Sequence, residues 1–279
     1  MVQKVVMGTR LPAKLWLDDV EDSCMAQIIS LASLPFAFKH IAIMPDAHTG
    51  KGMPIGGVLA TIGVVIPNAV GVDIGCGMCA VKTNLKALEL SVNQIKAIMR
   101  HIRKTIPLGF DHQKNAMDKS LLPDLDLDAC PFLRNKTVAM LKEIGTLGGG
   151  NHFIEIQKDT KKDDVWIMIH SGSRHVGLTV ANYYNKQAEI LCERWYADTL
   201  PGLAFLPIEE QVGKDYMHEM EFFFSSIRNF AYEDLLMRRG TDSKKNGYYQ
   251  AVCLPCGFPF LFRRSHHILP IDQSYLIYT

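Results

Sequence analysis

Hydrophobic positions form short runs over the first third of the chain and take helical spacing only after it. KHIAIMPDAHTG (39–50) places a short apolar strand before a Pro-Asp pair, which predicts a strand ending in a turn. GGVLATIGVVI (56–66) breaks its β-branched runs at Gly63 and predicts strand, turn, strand. CAVKTNL (79–85) alternates apolar and polar residues, the pattern of a half-buried strand. In SVNQIKAIMRHIRKTI (91–106) apolar residues recur every three or four positions. That predicts an amphipathic helix whose other side carries Lys96, Arg100, Arg103 and Lys104. The polar stretch 111–131 predicts a loop, and TVAMLKEIGTL (137–147) a short helix running into the glycine cluster LGGGNHF. DDVWIMIHSGSR (163–174) reads as a buried strand ending in a polar loop. Val180–Asp198 reads as a helix, and Ile208–Arg239 as one long helix or two. Strands and helices mix without βαβ alternation or internal repeat, so the predicted class is α+β.

After Gly240 the helical periodicity stops, and aromatic and Pro-Cys-Gly clusters take over, with only Asp242 and Asp272 as acids. The expected division is therefore a domain over 1–240 and a divergent tail over 241–279. Met53–Val72 is uncharged and long enough to span a bilayer, but Pro54, Gly56, Gly57, Gly63, Pro67, Asn68 and Gly71 break it. It is read as two or three buried strands with turns. The first residues contain no apolar leader, and the seven cysteines are odd in number and scattered, so a cytoplasmic protein without a disulfide framework is expected. The net charge of +1 offers no global field for nucleic acid, and RNA binding would need a local basic patch.

Four stretches carry chemistry. VGVDIGCGM (70–78) sets Asp73 and Cys76 around Gly75, so a carboxylate and a thiol can converge at a strand end. With imidazoles added, this set suits zinc, manganese or iron better than calcium. Alone, Cys76 reads first as a small buried hydrophobe and only second as a ligand. GTLGGGNHFIE (145–155) places Asn151 and His152 behind glycines whose backbone N–H groups can approach an anion. VWIMIHSGSR (165–174) brings His170 to the end of a strand, followed by two serines and Arg174. A serine nucleophile lacks its G-x-S-x-G context there. MPDAHTGKGMPIGG (44–57) carries Asp46, His48 and Lys51 among glycines, a cationic anion-binding loop without P-loop spacing. The C-x-x-C pairs Cys76/Cys79 and Cys253/Cys256 leave a tetrathiolate zinc site as a minor alternative.

In their order and wording, MPDAHTGKGMPIGGV, VGVDIGCGM, GTLGGGNHFIEI and HSGSR resemble the signature blocks of the RtcB-type RNA-splicing ligases, over roughly residues 10–240. The resemblance implies an RtcB-like α+β fold with a mixed β-sheet core flanked by helices. It implies a GTP- and manganese-dependent ligase, acting in tRNA splicing or RNA repair. Such an enzyme joins RNA ends bearing a 2′,3′-cyclic phosphate or 3′-phosphate to 5′-hydroxyl ends through a histidine-guanylate, with two Mn2+ ions. No membrane is involved. By motif, Asp73, Cys76 and His152 would hold one ion, and Cys76 would bridge to a second that His170 also holds. Asn151, His152, Phe153, Ile154 and Glu155 would lie against the guanylate, with Lys51 and Arg174 facing RNA phosphate.

The resemblance also fails in places. SHHILP (265–270) keeps a His-His pair, making His266 a candidate ligand, but Ile268 stands where the family has Asn. The H-G-A-G-R-like segment with the guanylate-accepting histidine is not in this sequence, nor are the later nucleotide-binding serines and the terminal lysine. A C-terminally truncated, catalytically defective product is the expectation. The rivals are a non-catalytic metal- or RNA-binding remnant and a zinc hydrolase working without GTP.

Overall fold

In the computed structural model, residues 1–72, 74–122, 126–159, 161–173 and 175–223 are described, with two further strands at 252–255 and 274–278. Asp73, Arg174 and His266 lie outside the described residues. The chain divides into two compact units, one of Met1–Val72, Leu178–Met217 and Gly257–Thr279, the other of Asp73–Gly177 and His218–Cys256.

The first unit is built on a five-stranded sheet in the order β1-β2-β3-β4-β11. Its strands are β1 (Lys4–Val6), β2 (Ala13–Leu15), β3 (Ile41–His48), β4 (Ile55–Ile62) and β11 (Ser274–Tyr278). β2 and β3 run parallel and the other pairs antiparallel, so the sheet is mixed. Helix α1 (Asp22–Ser33) buries Cys24, Ile28 and Leu31, and Leu15, Ile41, Ile43 and Leu59 of the sheet are likewise fully buried. Each such aliphatic side chain contributes about 1.5–3 kcal/mol by leaving water.

The Pro45-Asp46 pair does not end its strand as expected. β3 continues through it to His48, because β2 pairs only with Ile41–Ile43 and the register with β4 shifts between Ile43 and His48. The missing proline N–H thus falls where the ladder is already interrupted. The uncharged stretch forms β4, a turn at Gly63 (φ +72°) and β5 (Val64–Val65), which pairs with β9 (Leu206–Pro207). Its third element is not a strand but the short helix α2 (Pro67–Val70), whose first position suits proline because that N–H would be unsatisfied anyway. Among the described residues, no helix is long and apolar enough to cross a membrane.

The second unit contains a four-stranded antiparallel sheet, β10-β6-β8-β7. Here β6 is Gly77–Lys86, β7 Phe153–Lys158, β8 Asp164–Ser171 and β10 Val252–Pro255. The predicted amphipathic helix is α3 (Val92–Thr105), opened by a capping box in which Ser91 and Gln94 satisfy each other's backbone N–H groups. Helix α4 (Thr137–Glu143) follows the loop, and the N–H groups of Phe132 and Leu133 just before it are received by the buried Glu219 carboxylate. Helix α5 (Val176–Arg194), which belongs to the first unit from Leu178 on, begins four residues earlier than the sequence suggests, since Ser173 Oγ accepts from Gly177 N at 2.9 Å. Residues 211–223 are helical, after a turn at 208–210.

Candidate metal centre

The sheet register of the second unit brings three distant residues together. His170, next to last in β8, stands opposite Met78 of β6 on one side and Phe153 of β7 on the other. Cys76 lies two residues before Met78, so it shares that face and is the diagonal neighbour of His170. Gly75 turns the chain there with φ +84°, and a Cβ at this position would sit 3.1 Å from the Ser173 Cβ and 3.2 Å from the Phe223 ring. Only glycine meets both demands. His152 directly precedes β7 and follows Gly148 and Gly150, both at positive φ (+95° and +72°).

The donor atoms of Cys76, His152 and His170 lie within 4.8 Å of one another. Cys76 and His170 are 4% and 7% exposed, and His152 is half-buried. Cys76 Sγ is 2.8 Å from His170 Nε2, and His170 Nδ1 is 3.0 Å from the Asn151 carbonyl oxygen. A carbonyl can only accept, so Nδ1 carries a proton and Nε2 is the ring nitrogen turned to the Cys76 sulfur. The His152 and His170 rings meet edge to face at 5.3 Å, and Phe153 closes the other flank of His170 at 5.4 Å.

This arrangement fits a divalent cation. Ligands bound at about 2.0–2.3 Å lie no more than about 4.6 Å apart across an ion, close to the spread seen here. Removal of one proton from the Cys76–His170 pair leaves a thiolate and an imidazole lone pair facing each other, while the Asn151 carbonyl fixes the ring's tautomer from behind. The donor set is thiolate and imidazole, not four thiolates, and Cys256 of the zinc alternative lies outside the described residues.

The other candidate residues are distributed as follows. Asn151 is exposed and enters the centre through its backbone. Ile154 is half-buried, and the exposed Glu155 accepts from Gln157 Nε2 at 2.8 Å. Ser171 Oγ donates to the Leu147 carbonyl and Ser173 Oγ accepts from Gly177 N, so both hydroxyls serve the backbone and a serine nucleophile has no support.

Lys51 belongs to the first unit, on a loop whose backbone is tied down on both sides. Gln27 of α1 pairs with Gly50 twice, donating to its carbonyl at 2.6 Å and accepting from its N–H at 3.1 Å. Asn68 Nδ2 donates to the carbonyls of Lys51 and Gly202. Gly52 (φ +89°) and Gly202 (φ +76°) stand back to back, where a Cβ on Gly52 would come within 2.9 Å of the Gly202 oxygen. The Lys51 side chain itself is exposed. Sequence reasoning did not single out Gln27 or Asn68 for this task. A side-chain amide that mimics a peptide pair across 23 residues leaves no local pattern.

A buried thiol and two imidazoles converging at a sheet end define a candidate metal-binding protein of the α+β class. Comparison with known proteins narrows this class. A family model described as tRNA-splicing ligase RtcB matches residues 27–130 and 126–234. RNA-splicing ligases RtcB1 and RtcB from two Escherichia coli strains, one of them K12, are each 37% identical over 260 residues, covering 86% of this chain and 60% of the relative. The tRNA-splicing ligase RtcB of Thermococcus kodakarensis is 29% identical over 282 residues, covering 82% of this chain and 57% of the relative. The chain belongs to the RtcB family of RNA ligases. It spans about 60% of the length of the Escherichia coli relatives.

Proposed function

We propose that the chain serves the GTP- and Mn2+-dependent joining of RNA ends bearing a 2′,3′-cyclic phosphate or 3′-phosphate to 5′-hydroxyl ends, in tRNA splicing or RNA repair. The observation that carries this reading is the convergence of Cys76, His152 and His170 from three separate signature blocks onto one buried cluster. Asp73, three residues before Cys76, would add a carboxylate to this donor set, and His266 is the further candidate the sequence offers. When bound, the ions neutralise phosphate charge so that a nucleophile can approach phosphorus. The protein's own part is to bring the donors together, exclude water around Cys76 and fix the His170 ring through Asn151. Asn151 through Glu155 would face the guanylate, the glycine-loop N–H groups would suit its phosphate, and Lys51 and Arg174 would offer RNA phosphate a point charge and a fork. A reducing compartment, the cytoplasm, suits a chain whose buried cysteines Cys24 and Cys192 remain thiols.

A second reading is favoured by a specific observation: the guanylate-accepting histidine motif of the family is not among these 279 residues. On this reading the 279 residues bind metal and RNA without completing the reaction. One experiment addresses both. The purified chain is incubated with Mn2+, α-labelled GTP and the two RNA ends. Both readings expect manganese and RNA binding; the ligase reading adds protein-linked guanylate and ligated RNA, and the non-catalytic reading adds neither. Ligated product would overturn the non-catalytic reading, and absence of manganese binding would overturn the metal-centre assignment.

A further inference from the structure

Among the described residues of this near-neutral chain, α3 carries a segregated basic surface, and it lies in the same unit as the metal cluster. Residues 91–106, which contain α3, include no acidic residue. Lys96, Arg100, Arg103 and Lys104 are all exposed, and none of them makes an ion pair among the described residues. At 100° per residue they fall on one arc of the helix, about 12 Å long. Ile98, Met99 and Ile102 on another arc are half-buried, so α3 docks by its apolar stripe and turns the cations to solvent. Lys96/Arg100 and Arg100/Lys104 are like-charge neighbours at i,i+4, a spacing that destabilises a helix rather than supporting it. A polyanion lying along the arc would remove this repulsion.

A second observation points to nucleic acid rather than to an acidic protein. Just past the helix, Phe110 is 94% exposed, and Leu108 beside it is exposed as well. A solvent-facing aromatic at the end of a basic stripe is the combination that binds single strands, with bases stacking on the ring and phosphates meeting the cations. The loop that carries Phe110 is not free. Gly109 N donates to the Gly148 carbonyl at 3.0 Å, and Leu147 N donates to the Pro107 carbonyl at 2.9 Å. Phe110 is thereby fastened to the glycine loop that leads directly into Asn151 and His152.

We infer that α3 and Phe110 form a binding track for single-stranded RNA, with Lys96, Arg100, Arg103 and Lys104 on its backbone and Phe110 under a base, leading towards the glycine loop beside the metal centre. This rests on the RNA reading above. It adds the surface that holds the body of the strand, away from the reacting end.

The test is fluorescence anisotropy with the full 279-residue chain and a labelled single-stranded RNA ending in 3′-phosphate, over a salt series. Neutralising the arc (K96Q, R100Q, R103Q and K104Q together) is expected to reduce the slope of log affinity against log salt by roughly 2–3, at about 0.7 for each phosphate no longer neutralised. The melting temperature should stay the same or rise as the repulsion is relieved. F110A is expected to weaken binding about tenfold at unchanged salt slope, with F110W restoring it. Duplex RNA, whose bases are already stacked, should not respond to F110A. Mn2+ affinity should be untouched in every variant. Unchanged affinity and slope in the four-fold variant, with wild-type binding intact, would overturn the track alone. Wild-type protein that binds no RNA would instead overturn the RNA reading on which the track rests.

Discussion

Asn151 acts through its backbone. Its carbonyl accepts a hydrogen bond from His170 Nδ1–H and so decides which nitrogen faces Cys76. The pair then supplies one sulfur and one nitrogen donor in a buried setting. Cobalt substituted into such a centre acquires a thiolate-to-metal charge-transfer band in the near ultraviolet. In Cys76→Ser that band should vanish, and metal affinity should fall by at least ~10–100-fold, the loss typical even of outer partners. An intact band in the variant would place the metal on another thiol. The sequence pointed to Cys76, His152 and His170 because each follows or flanks glycines at a strand end, where side chains are free to converge. It could not show that Asn151 would contribute a carbonyl, since every residue has one. Nor could it show that the Phe153 ring would pack on His170, a contact set by the register of β7 on β8.

At the scale of elements, β6 and β8 carry the candidate centre at one end and an ionic clamp at the other. The Asp164 side chain is only 6% exposed and bridges Lys82 and Lys86, each at 2.5 Å, where the register shifts between those two lysines. Their hydrogen bonds hold the carboxyl at about 2, against its ordinary 3.8. A lowered carboxylate pKa gives stability that is present above the unfolded value and lost as pH falls through the folded one. Asp164→Asn should therefore unfold at lower urea concentration than the wild-type protein at neutral pH. The gap should be constant down to about pH 5 and close between about pH 4 and pH 2. A gap independent of pH would show that packing, not charge, fixes this end. The elements themselves were legible wherever periodicity was strong, as in α3 and β6. They were not where a long-range pairing overrode a local signal. Pro45 reads as a turn, and only the gap in two neighbouring ladders lets it sit in a strand.

For the whole molecule, motif order revealed the family, and the mixed pattern of strands and helices gave the α+β class. The two-unit division was not visible, because each unit gathers stretches far apart in sequence. The first unit has a consequence for how the protein is made. β4 receives its outer neighbour β11 only after roughly 210 further residues have been synthesised. At about 5–20 residues per second the ribosome leaves that edge open for about 10–40 s. Throughout this interval a strand with Ile55 and Ile62 at its ends offers unpaired N–H and C=O groups to any passing chain. Nascent chains arrested at residue 223 should therefore bind a holding chaperone, and chains arrested once residues 274–278 have left the ribosome should not. Equal chaperone binding by the two would mean that β11 does not protect this edge. The emergence of β11, and no earlier event, ends the time for which the first-made sheet needs a guardian.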